Sequence, residues 1–95
     1  MELEIRGEVW WWRGPAPFHF VTVPDEQSAA IDDVRAAVTY GWGVIPVSGR
    51  IGATSFTTSL FPRDGGYVVP LKVAVRRAER IELGDVVTVH LALDV

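Results

Sequence analysis

Residues 66–91 read GYVVPLKVAVRRAERIELGDVVTVHL, and their punctuation decides the fold: strand, short helix, tight turn, strand. Pro70 fixes its own φ and biases Val69 towards extended backbone, so the first strand is expected to stop there and a helix to begin directly after it. From Leu71 the apolar residues Leu71, Ala74, Val75 and Ala78 recur at three- and four-residue intervals and define one buried helical face. Lys72, Arg76 and Arg80 follow at intervals of four on the opposite side, with Arg77 beside them, which makes the outer face cationic. Gly84 tolerates positive φ, and Asp85 can accept from nearby backbone N–H groups as the chain turns. Beyond it Val87, Val89, Leu91, Leu93 and Val95 alternate with Val86, Thr88, His90, Ala92 and Asp94, the period of a half-buried strand.

Working outward, the same alternation opens the chain. Leu3, Ile5, Val9 and Trp11 interleave with Glu2, Glu4, Arg6, Glu8, Trp10 and Trp12. The charged residues mark the even positions as the outer face, so Trp10 and Trp12 are expected to project outward, where two bare indoles require cover. Residues 13–17 read as a loop and Phe18 to Val23 as a central strand, apolar on both faces. Asp25 is expected to cap a helix that buries Ala30, Ile31, Val34, Ala37 and Val38 and exposes Asp32, Asp33 and Arg35. Gly41 and Gly43 supply the permissive positions after it. Val44 to Ile51 reads as a strand, with Pro46 marking an edge or bulge, and Thr54 to Phe61 as another. Residues 62–66 then form the hairpin turn, with Asp-Gly as its local signal.

Two segments echo one another: Val21 to Pro24, helix, Gly43, strand against Tyr67 to Pro70, helix, Gly84, strand. The expectation is one supersecondary unit used twice in a mostly β, α+β barrel with two helices and pseudo-twofold symmetry.

Tyr67 to Lys72, the basic helix, and Leu83 to Val89 together resemble a small bacterial family known only as a domain of unknown function. Val47 to Pro62 is similar to that family's central hairpin, and the likeness runs from about Ile5 to about Leu93. The resemblance implies a double-split β-barrel, similar in architecture to the swapped-hairpin proteins of the AbrB and MazE type. It implies no reaction and no catalytic residues.

Ninety-five residues at 48% hydrophobic suit a single domain spanning 1–95 with one core. A net charge of −3 weakly opposes binding to a polyanion. The lack of cysteine excludes a disulfide framework, a thiolate metal site and a cysteine nucleophile together. The N-terminal stretch is unlike a signal peptide, and no apolar run reaches the ~20 residues of a membrane span. The expectation is a cytoplasmic protein with no membrane partner.

Catalytic signals are sparse. His19 and His90 lack the companions of a zinc site, and Ser48, Ser55 and Ser59 lack a nucleophile elbow. Asp32 and Asp33 point about 100° apart on a helix and do not share a site. With no phosphate-cradling or dinucleotide motif either, a non-enzymatic domain without cofactor or metal is expected. Its candidate interface or ligand groove is Trp10, Trp12, Trp42 and Tyr67, with Tyr40 and Phe18 as neighbours. That face serves as ordinary core, as a homodimer seam, or as a groove for a protein or small-molecule partner. A second hypothesis is a nucleic-acid-binding regulator using Lys72, Arg76, Arg77 and Arg80, set against a merely solvated helical face. A third is a small-ligand binder or enzyme with a pocket near Trp42, Tyr67 and Asp85 or His90.

Overall fold

Strict alternation from Glu2 onward needs a partner strand on each side before its apolar face is dry, and the chain supplies them by closing on itself. The computed structural model describes residues 1–14, 18–38 and 44–94. Within them run β1 (Glu2–Trp12), β2 (Phe18–Thr22), α1 (Asp25–Val38), β3 (Ile45–Ile51), β4 (Thr54–Arg63), β5 (Gly66–Leu71), α2 (Val73–Ala78) and β6 (Val86–Ala92). The strands form one closed barrel in the order β1-β2-β5-β4-β3-β6, every pairing antiparallel. Closure removes the free edges that would otherwise template aggregation. Among the described residues, no helix is long and apolar enough to cross a membrane.

Exchanging β1 with β4, β2 with β5 and β3 with β6 leaves the cyclic order unchanged. The internal echo is thus a ββαβ unit used twice. The odd residues of β1 face inward as expected: Ile5 and Val9 are buried and join Val21, Val69, Val89 and Leu91 in one core. Each such fully buried aliphatic side chain contributes about 1.5–3 kcal/mol through apolar area removed from water. Ile31 of α1 and Val75 of α2 enter the same core. The helices leave from opposite ends of the barrel, α1 lying against β5 and β3 and α2 against β4.

Among the described residues three prolines sit inside strands, and the register explains why each is tolerated. Pro62 pairs with Tyr67 of β5, while the β3–β4 pairing ends at Leu60. Pro46 pairs with Ser59 of β4, while the β3–β6 pairing starts only at Ser48. Pro70 pairs with Phe20 of β2, while the β4–β5 pairing ends at Phe61↔Val68. Each thus has a side without a ladder, where a missing N–H costs nothing. Pro70 therefore does not end its strand; β5 continues through Leu71.

The second helix is shorter than its periodicity suggests, six residues with Val75 its buried residue. Ala74 and Ala78 are exposed instead of buried, and Val73 is 48% exposed. Arg80 stops the helix by taking φ +54, while Arg80 and Ile81 donate their N–H groups to the carbonyls of Arg77 and Arg76. This is the paired-bond ending usually built on glycine. Gly84, at φ +89, serves the turn into β6 instead, where Asp85 accepts from the Glu82 N–H at 2.9 Å as expected. In α1, Ala37 is exposed and Ser28 buried, contrary to the periodicity; the Ser28 hydroxyl donates to the Val23 carbonyl. The β4–β5 hairpin turns on Asp64 and Gly65 at φ +50 and +80, both positive as a two-residue turn of this hand requires. Arg63 consequently belongs to the strand, not to the turn.

Candidate binding face

The β1–β2 register places Trp10 opposite Phe20 and Trp12 opposite Phe18. The neighbouring row, Val9–Val21–Val69, is fully buried inside, so side-chain alternation puts Trp10, Trp12, Phe18 and Phe20 on the outside. Phe61 of β4 joins them. Ring centroids are 5.2 Å apart for Trp10 and Phe20, 6.3 Å for Trp12 and Phe20, 5.5 Å for Phe18 and Phe20, and 6.3 Å for Phe18 and Phe61. These separations are the tilted and offset contacts that aromatic quadrupoles favour. Phe20 forms the floor at 4% exposure, and Phe18 is exposed.

Arg63 reaches across this tray. Its guanidinium lies 5.2 Å from the Trp10 ring and 5.8 Å from the Trp12 ring, a cation–π arrangement that covers both indoles. The Trp10 Nε1–H donates to the Thr22 hydroxyl at 2.9 Å, and the Trp12 ring packs over Gly14. The outward projection of both indoles is therefore as the strand parity predicts, and both are covered by Phe20 and Arg63. Beside Arg63 is a cleft of about 290 Å³ walled by Trp12, Phe18, Phe61 and Val68. A second cleft of about 300 Å³, which Arg63 also lines, includes Asp25 and Asp64.

Trp11 departs from the parity scheme. It shares the inward face with Val9 but is 44% exposed. The β1–β6 pairing stops at Glu8↔Val86, so β1 overruns that side of the barrel. Arg13 lies 5.7 Å over the exposed ring.

Tyr67 does not lie on the aromatic face. It is 2% exposed in the core, and its hydroxyl donates to Asp32 of α1. Burial, then the hydrogen bond to Asp32, raise the phenol above its ordinary value of 10.0, with Arg35 opposing. Trp42 and Tyr40 fall outside the described residues. The third hypothesis loses its constellation: Tyr67 is inside, Asp85 is in the turn before β6, and His90 is on another outer surface.

That surface is polar. Glu4, His90 and Arg50 stand side by side across β1, β6 and β3, with His90 Nε2 3.9 Å from the Glu4 carboxylate. Ser48, Ser55 and Thr57 line the same shallow groove of about 810 Å³, together with the apolar Leu3, Phe56, Leu91 and Ala92. His19 pairs with Trp11 of β1 and Leu71 of β5; burial, then the Arg76 charge, push its imidazole below the ordinary 6.5.

The four cations of the second hypothesis do not form a stripe. Lys72 precedes the helix and Arg80 follows it in left-handed conformation. Arg76 folds back to donate Nε–H to the Leu71 carbonyl at 3.2 Å. Glu79 turns away from them to accept from the Thr54 hydroxyl.

Phe20, Phe61 and Arg63 are absent from the sequence-derived face. Phe20 was recoverable from alternation with Phe18 once β1 and β2 are a hairpin, whereas Phe61 and Arg63 required the β4–β5 register. Residues 6–91 match a family model described as a domain of unknown function (DUF1905). A search of curated proteins finds no match.

Proposed function

From the premise that the chain belongs to the DUF1905 family, to which no reaction is assigned, we propose that it is a non-enzymatic binding domain whose working surface is the outer face of β1, β2 and the end of β4. The observation that carries this reading is the continuous array of Trp10, Trp12, Phe18, Phe20 and Phe61 under a single guanidinium. Indole and phenyl groups on an outer sheet face are costly to keep in water, and they are the groups that supply most of the energy at binding surfaces. The likeness to swapped-hairpin proteins of the AbrB and MazE type enters only as architecture. Here one chain closes the barrel, so engagement of a partner requires no exchange of hairpins.

Two measurements test the reading. The first is light scattering of the wild type and of the Trp10→Ser, Trp12→Ser double variant. The second is an amide and indole N–H spectrum recorded while small apolar ligands are added. Either an assembly that dissociates in the double variant, or ligand shifts centred on Trp10 and Trp12, supports the face. A monomer in both proteins, with ligand shifts absent from these indoles, overturns it.

A further inference from the structure

We propose that the cleft beside Arg63 takes a small aromatic carboxylate, its ring on the phenyl and indole walls and its carboxylate on the guanidinium. This rests on the preceding reading that the aromatic face is the working surface, and it names the chemistry that face accepts.

The cleft supplies both halves of such a site. Its volume of about 290 Å³ lies at the small end of ligand pockets, the scale of one substituted ring and not of an extended chain. Its walls at Trp12, Phe18, Phe20, Phe61 and Val68 carry no formal charge, so an uncharged flat group gains contact area there without losing hydrogen bonds.

Among the described residues, Arg63 is the one charged group lining it. Its contacts with Trp10 and Trp12 are made to ring faces, which accept no conventional N–H···O bond and so do not replace a carboxylate as partner. Among the described residues its ionic partner is Asp64, 3.6 Å from Nε, with side-chain exposures of 39% and 89%. An exposed pair at that distance contributes little and yields readily to a better acceptor. Asp64 and Asp25 line the neighbouring cleft that Arg63 also borders and not this one, so a carboxylate entering beside Trp12 meets no acidic wall. A guanidinium held over rings and paired, among the described residues, only with an exposed carboxylate is suited to bidentate carboxylate recognition. A neutral aromatic would leave the guanidinium unused, and a bare anion would leave the apolar walls wet.

The protein's net charge of −3 gives no general attraction for polyanions. A nucleic-acid strand that ran on past Arg63 would meet Asp25 and Asp64 in the neighbouring cleft, whereas a single carboxylate beside Trp12 need not.

The test is a titration of the full chain with phenylacetate, phenylacetamide and acetate, read from the tryptophan indole N–H signals. The expected result is saturable displacement of the Trp10 and Trp12 signals by phenylacetate, with acetate inert. Phenylacetamide, or phenylacetate on Arg63→Gln, should bind about tenfold more weakly, the loss expected for one charge-assisted hydrogen bond. Arg63→Lys keeps the charge but not the fork and should fall between. An unchanged amide backbone spectrum away from the face shows that each variant is folded. Equal affinity for acid and amide, or no effect of Arg63→Gln, overturns the carboxylate anchor while leaving the face intact. Phenylacetate shifts confined to Glu4, Arg50 and His90 overturn this inference and the binding-face reading together. No response to phenylacetate overturns the ligand class alone if the double tryptophan variant still dissociates an assembly.

Discussion

Ile81 donates its backbone N–H to the Arg76 carbonyl at 2.8 Å, closing the end of α2 around Arg80. The bond is made only because Arg80 adopts φ +54, a conformation that costs a residue with a Cβ roughly 1 kcal/mol and glycine almost nothing. The geometry also drives Ile81 into the core, at 9% exposure. Arg80→Gly should therefore raise unfolding stability by about 0.5–1 kcal/mol, part of the relief being offset by the greater freedom of glycine in the unfolded chain. Arg80→Ala removes the same charge without freeing the backbone and should change stability by less than about 0.5 kcal/mol. Urea denaturation of the two variants separates the effects; equal shifts would mean that charge, not backbone, matters at this position.

Phe56 stands across the β3–β4 ladder from Gly49. Its ring lies 2.5 Å from where a Cβ on Gly49 would be. Gly49→Ala must push the ring out, and overpacking of this kind costs about 1–3 kcal/mol. Adding Phe56→Leu should recover part of the loss, because the shorter side chain vacates the collision. Thermal unfolding of the single and double variants checks this coupling, and strict additivity of the two changes would show that the ring does not depend on the missing Cβ.

Parity makes a third prediction, about adjacent residues with opposite duties. Val9, 1% exposed, belongs to the core, whereas Trp10 and Trp12 are partly exposed outside it. Val9→Ala should cost about 2 kcal/mol through lost methyl burial and the cavity left behind. Although it removes far more apolar surface, the Trp10→Ser, Trp12→Ser variant should retain the barrel's far-ultraviolet spectrum and its cooperative unfolding. Loss of cooperative unfolding in the double variant would assign the indoles to the core.

The barrel was legible because its information is local and periodic. Glu2 to Val9 alternates without exception, and the Asp64-Gly65 and Gly84-Asp85 signals name their turns directly. The repeated strand, helix, glycine, strand order followed from that punctuation, and the barrel order extends it to ββαβ. What failed was information held by neighbours. Pro70 reads as a strand terminator until the β4–β5 register leaves one of its sides unladdered. Ala74 and Ala78 keep helical spacing, yet the chain reverses at Arg80, a residue with no intrinsic preference for that conformation. Within the face, Trp10 and Trp12 were visible because they share parity with carboxylates. Arg63 was hidden because its partners are far away in sequence and are reached only by crossing β5 and β2. Tyr67 looked like a groove aromatic but lies on the inner side of its strand.

That inner position gives the protein a response to alkali. The Tyr67 phenol is buried and donates to Asp32 across the junction between β5 and α1, and both burial and the bond favour its neutral form, raising its ionisation above 10.0. The folded chain thus holds this proton more tightly than the unfolded chain. The contribution is fully present below about pH 10 and declines as pH climbs from the unfolded value through the raised folded one. Tyr67→Phe leaves the ring in place, deletes the bond and leaves Asp32 free to turn to water. It should cost about 1 kcal/mol near neutral pH. Because the variant cannot ionise at position 67, its stability should fall less steeply above pH 10, and the two proteins should converge. Denaturant titrations from pH 8 to 11 on the pair cancel the other titrating groups. Parallel curves across that range would mean that the Tyr67 hydroxyl is as free to ionise in the folded protein as in the unfolded one.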